Sequence, residues 1–524
     1  MIYKVFIPCA GTGSRLGGLT SEINKGLVTV AGKPCVSHII DKIPRHIEIV
    51  IAVGYKASLV KQFIFQAYSD RKIAFVDVFP FEGNGSGLGE TLLRSQEYLQ
   101  CPFIFCANDT IIRGDIPIPN KNWMGYSDKK NSDQYRGLVL GDSSKIRELC
   151  SKGATQGALP YIGLAGIYDY LRFWSEMASG TAMGSIEIGE SYALKQMVDQ
   201  GIEAIRFEWY DTGSPVALAE TRNTLECDSE VNVLDKDGEA IWFVGDRVLK
   251  YSKDLNFIKD RYERVQHLKG FVPEILSVSD NLYSYRYVTG SVFSRNVNAS
   301  RFRYLLGWLD GFWKPCSLNS EQQGNFIKAC VGFYKNKTIQ RVDEYLRRFE
   351  QLDNSDVING DRSPKMHELL ERIDWARLCD GNAVRFHGDL HFENILVNAG
   401  GSPPFVLLDW RQNFGGILEY GDVYYDLAKL LHGLIVSHEM VKKDMYSISQ
   451  YSNEVSYEMW RKHSLVECEE VLMEYVDERG LDWEKVKTLT ALVFVNIAPL
   501  HHYPYSKLLY YLGKHMLCKQ IVVN

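Results

Sequence analysis

Ile2 to Pro8 is a short apolar run of the kind buried in a parallel sheet, and comparable runs recur at Ile49–Val53, Ile73–Val78 and Phe103–Ala107. Helical patterns separate these runs, so residues 1 to about 225 predict an α/β region, a mainly parallel sheet with helices on both faces. Within it, Ser185–Gln200 predicts a helix through Ile186, Ile188, Tyr192, Ala193 and Met197, and Ala217–Arg222 predicts another. Asn223 to Glu239 is polar and acidic and marks a boundary. Beyond it, Ala240–Tyr251 reads as a hairpin turning at Gly245-Asp246, and Asn256–Leu268 as a helix. Leu282–Gly290, with alternating aromatics, reads as a strand. From Arg301 onward the pattern is mostly helical and rich in Trp and Tyr. The chain therefore divides into residues 1–225, a small β-rich lobe at 226–290, and a largely helical part at 291–524.

Composition narrows the function. A chain of 524 residues is long enough for several domains. A net charge of −6 excludes a nucleic-acid binder that depends on a basic face. The 11 cysteines form no CxxC pair, which suits reduced thiols in a cytoplasmic protein and offers no zinc framework. No apolar run approaches the length of a membrane span, and the first strand meets glycines at once, unlike a signal peptide.

The stretch Arg385-Phe-His-Gly-Asp-Leu-His-Phe-Glu-Asn-Ile-Leu-Val397, followed by Val406-Leu-Leu-Asp-Trp410, carries the densest chemistry. Asp389 stands five residues before Asn394, and Asp409 follows a short strand. Phosphoryl transfer needs one carboxylate to orient the attacking hydroxyl, and an amide and a second carboxylate to hold Mg2+ against the phosphates. The spacing resembles the aminoglycoside phosphotransferase and choline kinase family, in which His-Gly-Asp replaces the His-Arg-Asp of protein kinases. The resemblance implies a bilobal, protein-kinase-like α+β domain. Asp389 is then catalytic, Asn394 and Asp409 ligate the metal, and His387 and Asp426 brace the loop. It also implies that Lys250, ending the hairpin, meets the ATP phosphates with Glu263 as its partner, although Glu239 and Glu274 compete for that role.

A second nucleotide motif opens the chain. Cys9-Ala-Gly-Thr-Gly-Ser-Arg-Leu-Gly17 follows the first strand, and Asn24-Lys25-Gly26 comes next. Glycines after a strand let backbone N–H groups approach a triphosphate. A dinucleotide-binding reading would want an acidic residue after the second strand, whereas Val50–Tyr55 ends in Gly-Tyr. Glu82-Gly-Asn-Gly-Ser-Gly-Leu-Gly89 is a further glycine loop, Phe103–Ala107 leads to Asp109, and Trp209-Tyr-Asp-Thr-Gly213 holds Asp211. Taken singly, Asp109 could be a helix cap and Asp211 part of a turn. Together and in this order the marks resemble the Rossmann-like nucleotidyltransferases that make sugar nucleotides and CDP-alcohols. The resemblance implies triphosphate binding by Gly11, Gly13, Arg15 and Lys25, and base and ribose recognition at Gly85 and Gly87. Asp109 and Asp211 would hold Mg2+, and Lys152 or Lys195 would grip the acceptor phosphate. The family's usual Pro-Lys is Asn24-Lys25 here.

A kinase that makes a phosphomonoester and a transferase that consumes one describe a two-step activation. The expected reading is phosphorylation of a sugar or polyol by ATP. Nucleotidyl transfer from a second triphosphate, with CTP leading, would follow, giving a precursor for a surface or capsular polysaccharide. Choline or another amino alcohol with a CTP:phosphocholine-type transferase is the alternative, since Tyr424, Tyr425, Trp460, Tyr503 and Tyr505 could cage a quaternary ammonium. A third reading makes one half a regulatory nucleotide-binding module. The expected partners are ATP, the second triphosphate, the alcohol and its phosphomonoester, with no nucleic acid and no membrane.

Overall fold

The computed structural model describes residues 2–128, 134–141, 144–153, 158–225 and 238–522. Most of the acidic boundary, residues 226–237, lies outside the described residues. The chain forms two compact units. Of the described residues, the first holds those up to Leu255 together with Leu276–Arg286, and the second holds Asn256–Ile275 and those from Tyr287 onward.

The first unit is built on a nine-stranded sheet. Lys4–Cys9 lies at its centre, parallel to Glu48–Val53 on one side and Phe103–Cys106 on the other, and Ile73–Asp77 extends the parallel half. Leu159–Ile167 runs antiparallel to Phe103–Cys106 and opens a half in which antiparallel strands dominate. The parallel strands are apolar along their whole length because both faces are covered: Val5, Ile7, Ile49 and Ile51 belong to one core, Phe6, Val50 and Phe105 to the other. Pro215–Thr224 forms the expected helix, with Ser214 capping its N-terminus and proline at its first turn. The helix expected over Ser185–Gln200 is broken into Ser185–Ile188, Glu190–Gln196 and a final turn. Gly189 causes the break: its φ of 79° is left-handed, and a Cβ there would lie 2.7 Å from Leu88.

The hairpin forms where the pattern placed it, as Glu239–Val244 and Arg247–Ser252 about Gly245-Asp246. With Leu282–Arg286 and Ile275–Val278 it makes a four-stranded sheet. This sheet rests on the helix Ala57–Ala67 of the first unit. The Trp242 ring meets Phe63 edge-on at 5.1 Å, Gln66 donates to the Ser279 hydroxyl at 2.9 Å, and Trp242 Nε1 donates to Thr29 at 3.0 Å.

In the second unit a three-stranded sheet, Gly290–Val292, Ile395–Asn398 and Phe405–Leu407, adjoins the loop that contains Asp389. Helices make up most of the rest, with Val423–Ile435 and Trp483–Ile497 packed together at the centre. The helix Ser320–Cys330 continues through a π turn, Val331–Asn336, into Lys337–Arg348. Among the described residues no helix is long and apolar enough to cross a membrane.

Two candidate active sites

In the first unit the functional groups gather at the carboxyl ends of the parallel strands, where open α/β sheets bind ligands. After Lys4–Cys9 the chain turns through Gly13 at φ 68°, and a Cβ there would lie 2.9 Å from that of Lys25. Gly11 and Gly85 face open space, so their backbones are accessible to a ligand. Gly87 is constrained otherwise: its missing Cβ makes room for the Ile186 carbonyl, 2.3 Å from where it would stand.

Asp109 and Asp211 converge although a hundred residues separate them. The strand Glu208–Asp211 pairs with Thr110–Arg113, setting Asp211 opposite Thr110, and the Thr212 hydroxyl donates to the Asp109 carbonyl at 3.0 Å. Gly213 sits between the two carboxylates. A Cβ on it would stand 3.0 Å from Asp109 Oδ2 and 3.1 Å from Asp211 Oδ1. Lys25 forms an ion pair with Asp109, and Arg15 lies 3.9 Å from the same oxygen. Burial would raise the Asp109 carboxyl, but Lys25 and then Arg15 hold it below the ordinary range. The Tyr135 hydroxyl donates to Asp211 Oδ2 at 2.6 Å. Lys152 belongs to this cluster: burial lowers its ammonium, and Arg15, Arg136 and Lys25 push the same way against Asp109. Lys195 is exposed on Glu190–Gln196, and among the described residues no side-chain bond links it to the cluster. Two hard oxygen donors over a glycine that leaves them space fit Mg2+, which binds through one or two carboxylates plus substrate phosphates. Among the described residues no group of three or more His, Cys, Asp or Glu side chains forms a closed metal cage.

In the second unit the loop around Asp389 is held from several directions. Asp426 accepts from the N–H groups of His387 and Gly388, each at 2.7 Å, and from Trp313 Nε1 at 3.0 Å. His387 Nε2 donates to the Leu408 carbonyl at 2.8 Å and Nδ1 accepts from the Asp389 N–H, which assigns its tautomer. Burial pushes His387 down to about 3, so it remains neutral. Arg264, fully buried, donates to the Phe386 and Arg411 carbonyls and ties the helix Leu255–Leu268 to the loop.

Asp389 Oδ1 is 2.8 Å from Lys429 Nζ. Burial would raise this carboxyl, but Lys429 and then His391 hold it well below the usual range. Its other oxygen, Oδ2, faces Asn394 Nδ2 at 3.3 Å and His391 Nε2 at 3.6 Å. Because Asn394 Nδ2 is taken up by the Asp389 carbonyl, Oδ2 and His391, Asn394 Oδ1 is the atom left to meet a cation. Asp409 adopts φ 58°, a left-handed conformation that Asp tolerates better than most residues, and pairs with Arg261. Oxygen donors from Asn394 and Asp409 again suit Mg2+.

The structure thus brings together Asp109, Asp211, Arg15 and Lys25 in one unit, and Asp389 and Asn394 in the other. Lys250 is buried on Arg247–Ser252 of the first unit, whereas Glu263 is on a helix of the second and lies 3.9 Å from Lys259, one turn back. Lys429, Tyr135 and Arg136 escaped the sequence reading. For Lys429 a signal existed: it lies three residues after Asp426, so both face the loop from one side of Val423–Ile435.

Residues 335–441 match the profile of the phosphotransferase enzyme family. The N-terminal region is similar to the bifunctional protein GlmU of Methanococcus vannielii, 28% identical over 231 residues, or 41% of this chain and 53% of that protein. It is also similar to the UTP–glucose-1-phosphate uridylyltransferase AglF of Haloferax volcanii, 25% identical over 240 residues, 43% of this chain and 96% of that protein. The chain spans about half the length of the GlmU relatives it matches. Among solved structures, the CTP:phosphocholine cytidylyltransferase of Streptococcus pneumoniae superposes with a TM-score of 0.38 at 18% identity, covering 43% of this chain and 100% of that one. A UDP-glucose pyrophosphorylase complexed with UDP-glucose gives 0.37 at 16% identity, covering 43% and 98%. A nucleotidyltransferase-related region and a phosphotransferase-family domain therefore lie on one chain.

Proposed function

We propose that the protein activates a small alcohol in two steps. The C-terminal unit transfers the γ-phosphoryl group of ATP to a hydroxyl of a sugar or polyol. The N-terminal unit then joins the resulting phosphomonoester to a nucleotide, and CTP is our first choice of donor. The observation that carries this reading is the presence of two separate sites, each pairing acidic residues with cations: Asp109 with Lys25 and Arg15, and Asp389 with Lys429.

In the kinase step the hydroxyl oxygen attacks the γ-phosphorus as ADP leaves, and Asp389 orients the hydroxyl and receives its proton. A carboxylate held so acidic by Lys429 is a weak base, which suits a loose transition state in which positioning matters more than early proton removal. In the second step an oxygen of the phosphomonoester attacks the α-phosphorus of the triphosphate and pyrophosphate departs. Arg15 and Lys25 neutralise charge on the triphosphate, and Lys152 holds the acceptor phosphate. Mg2+ bound at each site would supply charge neutralisation of the phosphates.

The test is a phosphorus NMR assay of the full chain with Mg2+, ATP, a second triphosphate and an alcohol. A new diphosphodiester is expected only when all are present. D389N is expected to lose alcohol phosphorylation by about a thousandfold or more while still consuming preformed phosphomonoester, and D109N to do the reverse. Loss of both activities in either variant would contradict two independent sites.

A further inference from the structure

The surroundings of Asp389 are strongly cationic. Lys429 occupies its Oδ1 side. Lys337 Nζ lies 4.6 Å from the centre of the Phe333 ring, and the Arg411 guanidinium lies 4.5 Å from the same ring, so side chains far apart in sequence converge on one aromatic. Arg341, one turn beyond Lys337, is neutralised by Glu344, as Lys429 is by Asp389. Among the described residues no carboxylate forms an ion pair with Lys337 or Arg411.

Two further features set these groups apart from ordinary surface charges. The π turn Val331–Asn336 comes immediately before Lys337 and contains Phe333, and such bulges often accompany functional sites. Lys337 is also recessed: burial pushes its ammonium down to about 7, with Arg411, Arg341 and Lys429 acting in the same direction and Asp389 opposing them. Lys337 and Arg411 are both half-buried, and an anion entering the cluster would offset the cost of holding two partly desolvated cations side by side. Lys429 and Asn394 flank the catalytic carboxylate at its two different oxygens. Asn394, the metal-facing residue, is on the Oδ2 side, whereas Lys429, the shared neighbour of Lys337 and Asp389, is on the Oδ1 side.

We propose that the alcohol phosphorylated at Asp389 carries an anionic group of its own, a carboxylate or a phosphate, which Lys337 and Arg411 bind. The inference rests on the kinase reading of the Asp389 loop and narrows its substrate to acidic polyols. A quaternary ammonium such as choline would add positive charge to a site that already has an excess.

The experiment follows ATP-dependent phosphorylation by the full-length protein with matched acceptors. Glycerol is compared with glycerate and glycerol 3-phosphate, glucose with glucuronate and glucose 6-phosphate, and choline is included. The anionic members are expected to exceed their neutral counterparts by about tenfold or more in kcat/KM, and the carboxylate and phosphate arms show which anion is read. K337M and R411M should lose about tenfold of that preference through the KM of the acceptor, with the KM of ATP unchanged, and K337R should restore part of it. Preference for a neutral polyol or for choline, or variants that raise only the KM of ATP, would overturn the inference and leave the kinase reading standing. Absence of any phosphomonoester from every acceptor, with ATP hydrolysis no different in D389N, would remove the kinase reading itself and the inference with it.

Discussion

Asn24 is wholly buried, and its side-chain amide donates to the carbonyls of Cys9 and Tyr55 while its oxygen accepts from the Gly26 N–H. Its φ of −68° is the value a proline would impose, so the turn before Lys25 is kept and the side chain adds three bonds that no proline could make. Asp109, Asp211, Asp389 and Asn394 could be singled out in the chain because each lies in a short ordered motif. Tyr135, Arg136 and Lys337 could not, since only tertiary packing brings them to a site. Gly213 shows how tightly one such site is built. G213A would place a methyl group about 3 Å from both carboxylate oxygens and is expected to slow nucleotidyl transfer about tenfold to a hundredfold, with alcohol phosphorylation unchanged. Lys429 offers a test by pH. Asp389 is acidic because Lys429 is beside it, so K429M should raise the Asp389 pKa and move the acidic limb of the kinase kcat–pH profile to higher pH. An acidic limb at the same pH in the variant would show that the pair does not set this ionisation.

At the scale of elements, apolar periodicity located most strands and the hairpin, because strands covered on both faces must be continuously apolar. It did not show the break at Gly189 or the π turn at Val331–Asn336, since both answer to neighbours that are remote in sequence. Nor did it show what the hairpin packs on. Trp242 has no exposed surface and fills the space beside Phe63, Tyr251 and Thr29. W242A is expected to cost the first unit about 3–5 kcal/mol, measured as a lower midpoint in urea denaturation followed through nucleotidyl transfer activity. A cost below about 1 kcal/mol would mean that the sheet is only loosely attached.

For the whole molecule, composition suggested a break at the acidic stretch, and contacts divide the chain differently. Asn256–Ile275 belongs to the second unit, although the strands before and after it belong to the first. A polar, acidic run signals a segment poor in core-forming residues, but it does not reveal which core the following strands will join. A fragment of residues 1–225 would leave Phe63 without Trp242 and Gln66 without Ser279. It is expected to bind a hydrophobic dye and to aggregate, whereas the full chain stays monodisperse. A soluble, fully active fragment would show that the sheet is dispensable to the first unit.

The seating of that sheet also limits how such a chain can be inherited. Recombination at the acidic stretch, the natural place to exchange one catalyst for another, would pair the helix Ala57–Ala67 with a foreign sheet lacking Trp242 and Ser279. Exchange of whole cassettes at that point would therefore carry a packing cost, and the sheet would be expected to travel with the first unit on which it rests.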